Sequence, residues 1–364
     1  MAEPREIAAV LDEMVGAGRL IGYVCGVRQD GLSRLVAGGT RSVDGPAMRE
    51  DAVFPLSSNT KPVAGVVTMR LVERGVVGLD DPVGAQLPEL AGPRVLAESD
   101  GRLDRTVPAR RPVTVRDLLT MTAGVGWPVD NPALGAAMAE RGVAPGPYAP
   151  SIPPDEYLRR LAELPFAGQP GEGWWYHTSS DVLGVYLARL TGVPVARLVA
   201  DHVVGPLGLA DTGFTADPAR LVTTYRVGPG NRVEPADTPD RFARTPAFES
   251  LACGLAGTVG DYLGLLDVLV DGGPILTAES AEQMTTDHLT SRQRRSAEGF
   301  LEPGSGYGFQ VEVRPDGTVG WAGGLGTIGY VDRRAGRSAA VFTSQAFDVP
   351  GTAEALETVW SLLD

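Results

Sequence analysis

Apolar residues fall at helical spacing near the start of the chain, where Ile7, Val10, Leu11 and Met14 share one face and predict an amphipathic helix over 4–17. The pattern then changes. Two strand-like runs, Ile21 to Val27 and Arg34 to Ala37, are joined by Asp30-Gly31 and predict a hairpin. From Ser58 to Arg74 the helical period returns, with Val63, Val66, Val67, Leu71 and Val72 apolar and Gly75 as the stop. Thr114-Val115-Arg116-Asp117 opens a further helix in a capping-box pattern. More helices are predicted over 154–164, 180–191, 195–204, 259–269 and 278–287. Beyond these the period becomes two, predicting strands over 307–313, 318–321, 328–331 and 338–343 before a closing helix over 352–363.

Strands thus stand at both ends of the sequence with helices between them. The economical assembly is α/β plus α: a two-lobed body in which one antiparallel sheet, flanked by the terminal helices, carries an inserted, mostly helical lobe. Residues 1–75 and 245–364 are expected to form the α/β domain and 76–244 the inserted helical domain, with a cleft at their junction. The Gly- and Pro-rich segments 124–153 and 224–250 are expected to supply cleft-lining loops.

Composition narrows the partners. At 364 residues and 43% apolar content the chain can bury a large core, which excludes a disordered chain or a small disulfide scaffold. Its net charge of -13 repels phosphate backbones and anionic bilayers, so neither nucleic acid nor a membrane is an expected partner. The N-terminal stretch has no basic start and no long apolar run, and a cytoplasmic location is expected. Cys25 and Cys253 read as reduced, buried thiols, and no metal or cofactor is expected. Gly324, Gly326 and Gly329 spell a dinucleotide fingerprint but lie between two strands and open no helix, so that function is set aside.

One choice of residue points to chemistry. Among thirty-one Arg there is a single Lys, Lys61, three positions after Ser58. An ammonium can shed its proton near neutrality when desolvated, whereas a guanidinium cannot. If Ser58 opens a helix, Lys61 lies one turn further on the same face, within reach of the hydroxyl. The serine then has a base without histidine. No G-x-S-x-G elbow is present. His202 and His288 read as structural or solvated, and His177, beside a Tyr, as a substrate neighbour or a loop residue.

The stretch from Asp51 to Val63 around Ser58-Asn59-Thr60-Lys61 resembles the active-site segment of the β-lactamase-like serine hydrolases: class C β-lactamases, penicillin-binding proteins, D-aminopeptidases and the β-lactamase-fold esterases. Further motifs follow in that family's order: Pro112 to Thr120, Pro170 to Thr178 with Leu183-Gly184, Pro206 to Thr212, Gly254 to Thr258 and Gly320 to Gly324. The resemblance implies Ser58 as nucleophile, Lys61 as its activating partner and Tyr176 as the second proton relay, its phenol lowered in pKa by the ammonium. It implies an oxyanion hole from the backbone N–H groups of Ser58 and Gly324. Thr178 stands where the family commonly has Asn. Trp321, ahead of Gly323, stands where many members have Lys, which removes the cation a β-lactam carboxylate would meet and resembles the W-x-G carboxylesterases and related acyltransferases. Trp321, Gly323, Thr178, His177 and Trp127 are the expected substrate neighbours, and Trp175 with the Pro-rich loop at 144–154 adds to an apolar cleft.

The expected activity is hydrolysis of a small-molecule ester through an acyl-enzyme on Ser58. Its rivals are transfer of that acyl group to a bound alcohol or amine in a natural-product pathway, β-lactamase or D-aminopeptidase action, and a catalytically silent ligand-binding protein. The sequence leaves the acyl group, acceptor and oligomeric state open.

Overall fold

The computed structural model of the chain describes residues 4–236 and 239–360. Its helices are α1 (Pro4–Gly16), α2 (Lys61–Glu73), α3 (Val115–Leu119), α4 (Pro132–Glu140), α5 (Pro154–Ala162), α6 (Thr178–Thr191), α7 (Val195–Val199), α8 (Gly205–Leu207), α9 (Val259–Leu266), α10 (Val268–Asp271), α11 (Ala278–Thr285), α12 (Ser291–Ser296) and α13 (Thr352–Trp360). The strands are β1 (Gly22–Gln29), β2 (Leu32–Gly39), β3 (Phe54–Pro55), β4 (Arg94–Leu96), β5 (Thr106–Pro108), β6 (Tyr225–Val227), β7 (Val233–Pro235), β8 (Ala256–Gly257), β9 (Gly306–Tyr307), β10 (Glu312–Val313), β11 (Thr318–Gly323), β12 (Thr327–Asp332) and β13 (Arg337–Thr343).

Seven of these strands form one antiparallel sheet in the order β2-β1-β13-β12-β11-β10-β9. The N-terminal hairpin therefore docks on the last strand, with Cys25 opposite Val341. Alternation along the strands assigns their two faces. Tyr23, Cys25 and Val341 turn to the terminal helices, where they pack with Ile7, Leu11, Met14 and Leu356. Val24, Ala340 and Phe342 turn the other way and join Leu263 and Leu266 of α9 in the main core. That core continues into the helical lobe, where α2, α3 and α6 pack together. The sheet from both termini and the inserted helices are the architecture that the patterning predicts.

Differences occur where local chemistry overrides period. The run 307–313, expected as one strand, doubles back as a hairpin: Tyr307 pairs with Glu312, and Gly308 N–H donates to the Val311 carbonyl. Gln310, at φ +67°, sits at its tip and is fully buried. Its amide donates to the Leu118 and Leu119 carbonyls at 3.0 and 3.1 Å, and its Oε1 accepts from Ser180 Oγ at 2.6 Å. The open carbonyls at the end of α3 need donors more than the sheet needs a longer strand.

The segment 124–153 contains a whole helix, α4, behind its Gly and Pro residues. Asn131 caps it by accepting from Leu134 N–H, and Pro132 occupies the first turn, where a missing N–H costs nothing. The helix expected over 195–204 passes through a π turn at Ala200–Val204, and that over 259–269 breaks at Asp267. Residues 361–363 of the closing helix lie outside the described residues. Among the described residues no single helix is long and apolar enough to cross a membrane.

Candidate active site

The chain enters the site through β3, whose pairing with β8 fixes the next residue: Leu56 N–H donates to the Leu255 carbonyl at 2.8 Å. Ser57 then takes φ +49°, a left-handed conformation that is costly for a residue with a side chain and is held here by complete burial. A 3-10 turn over Ser57–Thr60 follows and runs into α2 at Lys61. Ser58 and Lys61 are thereby one turn apart, as the spacing requires. Gly323 of β11 lets this turn come close, because a Cβ there would lie 2.4 Å from the Leu56 carbonyl oxygen.

Lys61 is completely buried, and three polar atoms surround its amine. Nζ lies 3.0 Å from Ser58 Oγ, donates to the Ala252 carbonyl at 2.7 Å, and lies 3.5 Å from His177 Nδ1. The Tyr176 ring is 4.6 Å away. Burial pulls the ammonium down to about 7, against the opposing pull of the Cys253 thiol and the Asp181 carboxylate. A neutral amine has two N–H groups and one lone pair. The three neighbours match that inventory: Ala252 and His177 accept, and the lone pair faces the Ser58 hydroxyl. His177 is driven far below its ordinary range by burial and by Lys61, so its imidazole is neutral, and Nδ1 is free to accept when the ring proton sits on Nε2.

Behind this group lies Asp181, also completely buried within α6. Its Oδ1 accepts from Ser250 Oγ at 2.6 Å and from Ala252 N–H at 3.3 Å, and its Oδ2 is 3.8 Å from His177 Nε2. Burial pushes this carboxyl up to about 6, while the Ser250 hydroxyl and Lys61 pull the other way. Asp181 thus grips the same peptide segment whose carbonyl holds Lys61. Asp181 and Ser250 are not among the residues the sequence singles out, although Asp181 lies between Thr178 and Leu183-Gly184 of the Tyr176 motif and Ser250 lies just ahead of the Gly254 to Thr258 motif.

Tyr176 is placed by backbone bonds on both sides. Trp175 N–H donates to the Met121 carbonyl and Trp127 N–H to the Tyr176 carbonyl, each at 2.9 Å. His177, at φ +87° and ψ −67°, makes a γ-turn of the strained hand, closed by Thr178 N–H on the Tyr176 carbonyl at 3.3 Å. This turn sends two consecutive side chains to the same amine. The phenol oxygen accepts from Trp321 Nε1 at 3.0 Å. The expectation that the ammonium lowers the Tyr176 pKa is corrected. Burial among Trp174, Phe300 and Trp321 raises it, hydrogen bonding to Ser58 and Trp321 only partly opposes this, and a neutral Lys61 supplies little field. Tyr176 therefore keeps its proton at neutral pH.

Ser58, Tyr176, His177, Trp321, Gly324 and Trp127 line one cavity of about 530 Å³. Its walls are mainly apolar, with Phe300, Leu325, Ile328 and Phe347 among them, and the Gly146-Pro147-Tyr148 loop contributes as expected of a cleft loop. From the segment 224–250, Arg226 reaches the wall. Thr178 and Gly323 do not line it. Thr178 is buried as the first residue of α6, and Gly323 acts through its close approach to Leu56. Trp175 lies in a neighbouring cavity. The Gly324 N–H donates to no protein acceptor among the described residues, as an oxyanion donor must. His202 is buried in the π turn and His288 stacks on Phe309, both outside the cavity. Gly324 and Gly326 belong to the tight connection from β11 into β12, and Gly329 lies within β12 opposite Trp321.

A family model described as Beta-lactamase matches residues 7–363. Esterase EstB of Burkholderia gladioli is 32% identical over 371 residues, covering 93% of this chain and 90% of its own. Among solved structures, EstCE1, a hydrolase with promiscuous acyltransferase activity, is 27% identical with a TM-score of 0.83, covering 97% of each chain. The unliganded simvastatin synthase LovD of Aspergillus terreus shares the fold at 21% identity and a TM-score of 0.82, covering 100% of this chain and 98% of its own. This chain belongs to the β-lactamase family.

Proposed function

We propose that the protein is an esterase that forms an acyl-enzyme on Ser58. The observation that carries this is a buried primary amine, lowered to about 7, placed 3.0 Å from an alcohol oxygen that opens onto an apolar cavity. Lys61 takes the Ser58 proton as Oγ adds to the ester carbonyl, and the N–H groups of Ser58 and Gly324 hold the developing oxyanion. The carbon–oxygen bond to the alcohol breaks as Tyr176 gives that oxygen its proton. The phenolate left behind keeps its hydrogen bond from Trp321 Nε1, lies beside the Lys61 ammonium, whose Nζ is 4.6 Å from the ring centre, and recovers its proton from that ammonium. Water repeats the sequence in reverse and releases the acid. No cofactor enters these steps.

A second reading, transfer of the acyl group to a bound alcohol or amine, is favoured by the apolar walls and by the likeness to EstCE1. β-Lactam hydrolysis is disfavoured because Trp321 stands where a cation would meet the substrate carboxylate. A silent binding protein has no use for the buried Ser58, Lys61 and Tyr176 set. The test is a stopped-flow comparison of p-nitrophenyl butyrate with nitrocefin. The ester is expected to give a burst of p-nitrophenolate and turn over at least about a hundredfold faster, and adding n-butanol is expected to divert part of the product to butyl butyrate. Comparable turnover of nitrocefin would overturn the preference for esters, and absence of both reactions would favour the silent protein.

A further inference from the structure

A second cavity of about 510 Å³ adjoins the first, and Trp127, Tyr176 and Phe300 line both. Trp127 and Phe300 meet at 6.0 Å between ring centroids and form the partition, with Tyr176 packed on Phe300 at 5.1 Å. The second cavity differs in its chemistry. Arg110, Arg292 and Arg295 converge on it, against Glu172 and Asp130. Glu172 is shared between Arg110 and Arg292, and Arg295 has no carboxylate within ion-pair distance among the described residues. A wall with a surplus guanidinium is out of keeping with a chain of net charge -13. Its amide and hydroxyl groups, from Asn131, Gln169 and Ser296, add further polar character.

We propose that this cavity is the leaving-group subsite and that it selects substrates whose alcohol or thiol part ends in an anion, a carboxylate or a phosphate. The inference rests on the acyl-enzyme reading given above. The Tyr176 hydroxyl gives up its proton in the first cavity, beside Ser58 and Trp321, and a departing group reaches the second by passing the side chains of Trp127, Tyr176 and Phe300 that line both. The acyl chain keeps the apolar cavity, and the anionic end of the departing group meets Arg295 and Arg292. The same subsite would receive an anionic acceptor when the acyl group is transferred rather than hydrolysed.

The test uses butyryl esters with a common acyl group: those of ω-hydroxyalkanoates and of ω-hydroxyalkyl phosphates with two to eight carbons, and matched n-alkyl butyrates. The wild-type protein is expected to prefer an anionic series in kcat/KM at one spacer length, and the two anionic series separate a carboxylate preference from a phosphate one. In Arg295→Glu the anionic-to-neutral ratio is expected to fall roughly fivefold to tenfold, mostly through KM, as expected for reversing one exposed charge. Arg295→Lys is expected to retain most of the preference. Hydrolysis of n-alkyl esters with no anionic preference at any length would overturn the subsite alone, as would an unchanged ratio in Arg295→Glu. Loss of all ester hydrolysis by the wild-type protein would instead overturn the acyl-enzyme reading.

Discussion

Protonation of one amine governs the chemistry at the scale of single residues. Lys61 must be neutral to accept the Ser58 proton, and burial brings its pKa to about 7. The sign follows directly: kcat/KM for a neutral ester is expected to rise with pH up to about 7 and level above it, because the ammonium form cannot act as a base. Lys61→Arg keeps the positive charge and loses the base, so acylation is expected to fall by about a hundredfold or more. Retention of more than roughly a tenth of the wild-type rate would contradict the base role. Asp181 raises the Lys61 pKa through its negative charge. Asp181→Asn is therefore expected to move the acid limb of the pH profile to lower pH, measured as kcat/KM between pH 5 and 9. Lys61 was legible in the sequence because it is the chain's single Lys and stands three residues from a Ser. Asp181 was not, because its link to Lys61 runs through the Ala252 peptide and the Ser250 hydroxyl, and no local spacing encodes such a link.

Among elements, the close approach of β11 to the turn carrying Ser58 depends on a missing side chain. At Gly323 a Cβ would lie 2.3 Å from Thr327 Oγ1 and 2.4 Å from the Leu56 carbonyl oxygen, both part of one hydrogen-bonded contact. Gly323→Ala must push β11 away from Leu56, and with it Gly324 and the oxyanion donor. Its kcat is expected to fall by on the order of a hundredfold, the cost of misplacing one such donor, with KM changed far less. The resemblance pointed to Gly323 as a substrate neighbour, and the structure gives it instead a place in packing. The hairpin over 306–313 was hidden for a comparable reason. Its alternation reads as a strand, and the carbonyls at the end of α3 that bend it lie far away in sequence. The N-terminal hairpin and β11 to β13 were readable because their own alternation decides which face is buried. Helix α4 escaped notice because Pro132 and Gly135, counted as loop signals, fall within its first two turns.

For the molecule as a whole, the sheet and the helical lobe are joined by buried polar bonds as well as by the continuous core. Gln310 carries several of them from a hairpin at the sheet's edge to α3 and α6. Gln310→Ala leaves two backbone carbonyls and the Ser180 hydroxyl without these partners, and is expected to lower stability by about 1–3 kcal/mol in urea unfolding. An unchanged midpoint would show that the tie contributes little. The overall architecture was legible because strands at both ends and helices between admit few compact arrangements. The cleft's inner chemistry was less so: the raised phenol of Tyr176 and its bond from Trp321 arise only when residues 145 apart in sequence meet. The chemistry as a whole depends on acylation of Ser58 with Lys61 as its base. Mass spectrometry of the protein quenched within seconds of mixing with p-nitrophenyl butyrate, followed by peptide mapping, tests it most directly. One butyryl group is predicted on the peptide containing Ser58, forming more slowly below pH 7 and absent from Ser58→Ala. A butyryl group on another residue, or the same adduct persisting in Ser58→Ala, would contradict the account.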